Sequence, residues 1–324
     1  MIEIKDFTST DLEFKEIARV FNLVSHDYVV HYKDDKDEWY IRDKSLLNER
    51  YLLYKSKTLI GYIIFEQGKK ENRTTVFFTI KIDPSYSEKK YIDILYKEML
   101  KRIKTINCNK ILVEVYEHPN YRDFQKYLIN EQFVLAQKNR EYLCEIQKID
   151  IKPYQSIIKK LGLAGIQFFE SKNDIKNKSD HYRKLEKLEW SIDQDIPIPK
   201  GIKWTRDSFD RFLEKKKFFE QKCYGTEIIA VKDGKYIGMT TLTVFKRSEP
   251  NKAFTETLGV LKKYRRQGIA TALKIKAIET LIIKGIKEIR TDNEINNPMY
   301  KINEKLGFYA VPSSLEYLKT IDKI

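Results

Sequence analysis

Two stretches of the chain carry the same succession of apolar and polar positions. In the second half, residues 227–231 and 236–245 run apolar or alternate on either side of Asp233 and Gly234, which predicts two strands joined by a tight hairpin. Residues 254–260 predict a third strand. Residues 268–284 then place Ile269, Leu273, Ala277 and Leu281 at i+4 spacing, the period of a helix with one apolar face. Gly285 fits its stop. Residues 288–291 predict the next strand. Asn297 reads as an N-cap, Pro298 as a first helical residue and Gly307 as a terminator of a short second helix.

The first half repeats this order. Residues 51–54 and 59–66 predict a hairpin and 74–82 a third strand, followed by a helix over 92–106, a strand over 110–115 and a helix over 121–129. Ile82 corresponds to Val260 and Lys110 to Glu288, both at an offset of 178. Residues 141–146 close the first copy, and Lys152-Pro153 marks a break. Beyond a short helix at 154–161, residues 165–170 open the second copy, with early helices at 181–190 and 208–219. The expected domains are therefore 1–150 and 151–324, in line with the roughly two domains that 324 residues suggest.

Composition narrows the class. Hydrophobic residues make up 42%, enough for ordinary cores. The formal net charge is +14, but the basic residues are scattered Lys mixed with Asp and Glu. No basic block interleaved with aromatics marks a nucleic-acid groove, so nucleic acid is not an expected partner; a mild pull toward an anionic substrate remains. Cys108, Cys144 and Cys223 have no paired spacing, which argues against a disulfide framework or a zinc site and for buried small hydrophobes; no metal is expected. The N-terminus does not read as a signal peptide, and no run of about 18 apolar residues forms a span. A cytoplasmic protein without membrane contact is expected.

The chemistry concentrates in residues 260–308. Arg265, Arg266, Gln267, Gly268, Ile269 and Ala270 lie between the third strand and the long helix. The first N–H groups of a helix lack partners, and its dipole adds positive potential, so this turn is an anion cradle. Gly268 removes a Cβ where a phosphate must approach. Downstream come Thr291-Asp292-Asn293, then Asn297, then Asn303 and Leu306-Gly307-Phe308. Arg265, Gly268 and Ala270 fill the Arg/Gln-x-x-Gly-x-Gly/Ala pattern, and with the Asn and Leu-Gly-Phe that follow, the segment resembles motifs A and B of the GNAT superfamily of acyl-CoA-dependent N-acetyltransferases. The tandem plan is similar to that of mycothiol-synthase-type acetyltransferases.

The resemblance implies an α+β, three-layer fold: two tandem GNAT-like domains, each a mixed, mainly antiparallel sheet flanked by helices, with a splayed parallel strand pair. It implies acetyl-CoA as co-substrate between the strand ending at Val260 and the one ending near Asn293. The pantetheine would add to Leu258, Gly259 and Val260, and the pyrophosphate would take the N–H groups of Arg266, Gln267, Gly268, Ile269, Ala270 and Thr271. The Arg265 and Arg266 side chains either contact phosphate or are surface charge, with Arg265 favoured as cradle geometry. The Val260 N–H would stabilise the oxyanion. Glu256 is the expected base, sharing strand parity with Val260; the alternative for it is a solvent-facing strand residue. His181 is a weaker candidate, expected at the surface. Many relatives protonate the thiolate with a Tyr where this chain has Asn303, which has no acidic proton to give; Tyr300, one turn earlier, is the substitute, or solvent supplies the proton. Asn293 and Asn297 either bond the pantetheine or hold local structure.

The first copy departs at the site. Only Gly61 and Gly68 precede Gly162. Ser87, Lys90 and Ile92 replace the cradle residues, and Glu131-Gln132-Phe133 replaces Leu-Gly-Phe. A degenerate domain that completes the scaffold is expected. The expected activity is acetyl transfer to the primary amine of a small molecule, by direct attack in a ternary complex. Trp190, Asp193, Asp195 and a late loop at 313–317 are expected near the acceptor. The alternative is a catalytically inactive acyl-CoA sensor or partner-binding protein. The acceptor's identity, the acyl-chain preference and the oligomeric state are not legible in the sequence.

Overall fold

In the computed structural model, which describes residues 1–86, 88–175 and 180–321, the chain divides into two compact units. Unit 1 comprises Met1–Asn139, Ile198–Thr205 and Pro312–Ile324, and unit 2 comprises Arg140–Pro197 and Arg206–Val311. The chain crosses from one unit to the other after Asn139, Pro197, Thr205 and Val311.

Unit 1 is built from β1 (Ile2–Asp6), α1 (Asp11–Val24), α2 (Tyr32–Ile41), β2 (Asn48–Lys55), β3 (Thr58–Gln67), β4 (Thr75–Ile82), α3 (Lys89–Ile103), β5 (Lys110–Tyr116), α4 (Arg122–Asn130) and the start of β6 (Val134–Glu145). Unit 2 takes the rest of β6, then α5 (Gln155–Leu163), β7 (Ile166–Glu170), α6 (His181–Asp193), α7 (Phe209–Lys222), β8 (Cys223–Lys232), β9 (Lys235–Phe245), β10 (Lys252–Val260), α8 (Ile269–Ile283), β11 (Glu288–Glu294), α9 (Tyr300–Lys305) and the start of β12 (Tyr309–Thr320). Strand order is β1-β2-β3-β4-β5-β12 in unit 1 and β7-β8-β9-β10-β11-β6 in unit 2. The β4–β5 and β10–β11 pairs are parallel; the other pairings of β1–β5 and of β7–β10 are antiparallel.

Local chemistry explains the elements. Thr10 and Glu13 form a reciprocal capping box at the start of α1, which satisfies two otherwise unpartnered N–H groups. Asp233 and Gly234 both have positive φ, as the tight turn between β8 and β9 requires. The buried side of α8 is Ile269, Ala272, Leu273, Ile275, Ala277, Ile278 and Leu281. Each such large side chain removed from water contributes roughly 1.5–3 kcal/mol. In unit 1, Leu315 and Tyr317 of β12 enter the core, and Ser314–Thr320 pair with β5. Residues 313–317 are therefore not a late loop but part of strand β12, which pairs with β5. All three cysteines are buried and free.

A buried ion pair and a buried lysine stand out against these apolar cores. In unit 2, Arg290 of β11 donates to Glu141 of β6, with Nε to Oε2 at 2.8 Å, and both side chains are almost inaccessible. Burial pulls the guanidinium down to about 10. In unit 1, Lys81 lies in the part of β4 beyond its pairing with β5, which ends at Phe78. Its Nζ donates to the Tyr121 hydroxyl at 3.2 Å and sits 4.4 Å from that ring. Burial pushes its pKa down to about 8, with Glu114 pulling the other way.

Removing one partner of a buried ion pair leaves the other charge without compensation. Glu141→Ala should therefore cost about 3–5 kcal/mol, and Glu141→Leu with Arg290→Met should recover most of it; urea unfolding measures both, and a loss below about 1 kcal/mol would remove the pair's structural role. For Lys81, the unfolded chain binds more protons than the native one between pH 8 and about 10, so stability rises with pH across that window. Between pH 7.5 and 9.5 the wild type should gain about 1–2 kcal/mol more than Lys81→Met.

Candidate functional site

The site is built where two parallel strands part. β10 and β11 pair only over Lys252–Phe254 against Glu288–Arg290. From Thr255 and Thr291 onward each strand has lost its partner on that side. On the other side β10 stays paired with β9 through Val260 and Gly238. Leu261 N–H donates to the Ile237 carbonyl at 2.9 Å. Antiparallel pairs alternate between bonded and non-bonded residues, so Val260 is a non-bonded position and its N–H and C=O turn toward the gap. Arg265 Nε fills that carbonyl at 2.8 Å, which leaves the N–H. Leu258 and Val260 pack toward the α8 side. Gly259 faces α6, where a Cβ would lie 2.3 Å from Ile192, so only glycine lets β10 pass this close.

The turn from β10 to α8 forms the cradle. Gly268 is the N-cap residue of α8, with φ of 87° and no side-chain cap; a side chain there would be strained. The N–H groups of Ile269, Ala270 and Thr271 belong to the first turn and have no helical acceptor. Arg266 also has positive φ, and Arg265, Arg266 and Gln267 are exposed. Arg265 is a brace: besides Val260 it pairs with Asp195, which also holds Lys262 at 2.9 Å. Asp195 is thereby spent on the cradle, not left open to a cationic ligand.

Glu256 stands at a β-bulge: Thr255 pairs with Leu242 and Thr257 with Thr241, leaving Glu256 as the extra residue. A bulge breaks strand parity. Glu256 bonds Thr243 and feels Lys216 of α7, so it lies on the α6–α7 face and does not share the α8-side face of Val260. Its carboxyl reaches solvent but is crowded by protein. That desolvation, with the negative charge of Asp292, pushes its pKa up. Asp292 itself is raised by desolvation. On α6, burial and then Glu189 push Asp193 up to about 7. Lys216 pairs with Glu227 and lies 3.9 Å from Glu189. Glu189, Glu227 and Glu256 thus all lie within the field of Lys216.

The remaining candidates fall in two groups. Asn303 is 2% exposed; its Nδ2 donates to Asn293 Oδ1 at 2.8 Å, and its Oδ1 accepts from Lys274. Tyr300 begins α9 and lies 5.0 Å from the Arg140 guanidinium. Asn297 does not cap that helix. Its Oδ1 accepts from Met299 N–H at 3.1 Å, a local turn that delays the helix to Tyr300. Gly307, with φ of 84°, follows α9 as a terminator should. His181 is not at the surface: it is buried, with Nε2 2.9 Å from Ser171 Oγ and Nδ1 3.0 Å from Tyr236 Oη. Both nitrogens are occupied, and burial lowers its pKa. Trp190 lies 5.9 Å from the Arg206 guanidinium. Lys274 and Asp292 escaped the sequence reading. The signal for Lys274 was a Lys between Leu273 and Ile275, four residues before Ile278.

Unit 1 lacks these devices. Thr75 and Lys252, which pair with Lys110 and Glu288, are offset by 177, whereas Lys110 and Glu288, and the strand ends Ile82 and Val260, keep 178. The extra residue is the Glu256 bulge, and β4 is regular against β3. The turn from Ile82 to α3 is two residues shorter than that from Val260 to α8. Lys90 therefore sits inside α3 and does not stand in for Gly268. Ile92 is buried in the core, and Ser87 lies outside the described residues.

Among the described residues no group of three or more His, Cys, Asp and Glu is placed to hold a metal ion, and no helix is long and apolar enough to cross a membrane. The sequence model of the acetyltransferase (GNAT) family matches residues 184–308. No curated protein matches the chain. Among solved structures, the chain is similar to a tandem GNAT protein from the clavulanic acid biosynthesis pathway, at 13% identity, with 99% of this chain and 98% of that one covered and a TM-score of 0.76. It is similar to a GCN5-related N-acetyltransferase from Sphaerobacter thermophilus, at 12% identity, 98% and 95% coverage and a TM-score of 0.69. It also matches a glucosamine N-acetyltransferase region in a fungal multi-domain β-N-acetylglucosaminidase, at 12% identity and a TM-score of 0.71, covering 98% of this chain and 38% of that one. At such identities the likeness speaks for the fold, and the family match for the domain that carries the parted strands and the cradle. Residues 184–308 match the acetyltransferase (GNAT) family, and the whole chain shares the fold of a tandem GNAT protein.

Proposed function

We propose that the protein is an N-acetyltransferase that moves an acetyl group from acetyl-CoA to a primary amine of a small molecule, and that unit 2 alone carries the reaction. The observation that carries this reading is the parting of β10 from β11 beside a helix N-terminus with a glycine at its cap. Backbone groups of Leu258 and Val260 are left to a ligand chain. The N–H groups of Arg266 to Thr271 suit a pyrophosphate, being positive in sum and free of side-chain caps. Unit 1 has a parted pair too, but neither the longer turn nor the glycine cap, which supports a scaffolding role for it.

The chemistry follows from charge. The α6–α7 face, rich in carboxyls, favours an approaching ammonium. The ammonium must lose a proton before its nitrogen can attack. Glu256 suits that task, because a carboxylate with a raised pKa is a stronger base. The neutral nitrogen attacks the thioester carbonyl, and the Val260 N–H stabilises the oxygen as charge develops on it. The bulge turns the base to the face opposite the Val260 side chain, while the Val260 N–H points into the gap at the edge of the strand, where an acceptor and a thioester would meet.

Calorimetry should find one acetyl-CoA per chain; two would overturn the assignment of unit 1. Gly268→Glu should abolish binding, whereas Lys90→Ala should leave it intact. In a thiol-release assay over an amine panel, Glu256→Gln should lower turnover by about 10²–10⁴-fold at unchanged acetyl-CoA affinity; unchanged turnover would remove Glu256 from the mechanism. Binding without release for any amine would favour the acyl-CoA sensor.

A further inference from the structure

Lys274 is the buried group that the reaction as described does not use. It sits in α8 at 1% exposure, among Leu273, Ile275 and Ala277. Its ammonium contacts the Asn303 carboxamide oxygen and lies 4.2 Å from the Phe308 ring. Among the described residues no carboxylate pairs with it. A buried charge without a counter-ion is costly, and a Leu or Met would fill the same space at lower cost. The hydrogen bonds also have a direction. An ammonium only donates, so Asn303 must present its oxygen to Lys274 and its amide nitrogen to Asn293 Oδ1, 2.8 Å away. Asn293 lies on β11 beyond Arg290, the last residue paired with β10. The chain Lys274–Asn303–Asn293 thus runs from the core to the edge of the gap.

We propose that Lys274 is a positioning residue of the transfer reaction, whose buried side chain, acting through Asn303, sets positive charge behind the gap where the departing thiolate takes up its electron pair. This rests on the acetyl-CoA reading above. In the step, the C–N bond forms as the C–S bond breaks, and the electron pair of the latter goes to sulfur. The proton shed by the attacking nitrogen goes to Glu256 or water, and Lys274 keeps its own. The titratable group facing Lys274 is the Cys144 thiol of β6, which burial pushes up to about 11 and keeps neutral. Burial pushes Lys274 down to about 7, so a nearby thiolate is the partner that would hold it charged.

The test uses free CoA on the full-length protein. The ultraviolet thiolate absorbance of bound CoA is titrated with desulfo-CoA as blank, and folding is checked by circular dichroism. The bound thiol should ionise roughly tenfold more at a given pH in the wild type than in K274Q or K274M. Asn303→Asp, which supplies Lys274 with its own counter-ion, should lose the same advantage even if the Lys274 variants fold poorly. A merely structural lysine would leave thiol ionisation alike in the wild type and Asn303→Asp, which overturns the proposal. K274Q behaving as wild type while K274M does not would also overturn it, since Gln can keep the hydrogen bond without the charge. CoA bound with an unshifted thiol sinks only the role of Lys274. No CoA binding by the wild type sinks the acetyl-CoA reading and this proposal with it.

Discussion

The constraint on which the rest depends is the parting of two parallel strands. Inside a sheet every backbone N–H and C=O has a partner across the ladder, and a buried group that loses its partner must find another. β10 and β11 stop pairing after Phe254 and Arg290. The protein settles one of the released groups itself, since Arg265 Nε donates to the Val260 carbonyl. The groups it leaves open line a slot beside the first turn of α8. The site is in this sense a sheet left unfinished at one place, with the unfinished part held rigid by its neighbours.

Comparison of the two units shows how little separates a scaffold from a site. Both have the same order of elements and a parallel pair that parts. Unit 2 has one extra residue in its third strand and two more in the following turn. The extra strand residue is Glu256 at the bulge, which turns its carboxyl to the face opposite the Val260 side chain. The longer turn lets the chain reach α8 through two positive-φ residues, Arg266 and Gly268. In unit 1 the strand is regular, and Lys81 and Tyr121 fill the region with their own contacts.

Charge in unit 2 is arranged by side of the sheet. On the α6–α7 face, Glu189, Asp193 and Glu256 are all raised by desolvation, a setting in which carboxyls can take a proton. On the α8 face, Lys274 is buried among apolar side chains. Carboxyls raised by desolvation and the buried Lys274 therefore stand on opposite sides of β10.

Much of this was legible in the sequence. The i+4 spacing of Ile269, Leu273, Ala277 and Leu281, the Asp233-Gly234 turn and the repeat at an offset of 178 are local or periodic signals, and they fixed the element order, while the fold followed from the resemblance of residues 260–308 to a known family. Tertiary structure decided what depends on partners far along the chain. Strand parity put Glu256 and Val260 on one face, but a bulge is defined by the neighbouring strand, so only pairing with Thr241 and Leu242 revealed it. His181 read as a surface residue because nothing nearby announces Ser171 and Tyr236 closing over both nitrogens. Residues 313–317 read as a loop because their partner, β5, lies about 200 residues earlier in the chain. Lys274 drew no reading, because a helix's own period cannot say that Asn303 and Phe308 close over it. Periodicity records which face of an element is apolar; which groups meet across that face is set only when distant segments pack.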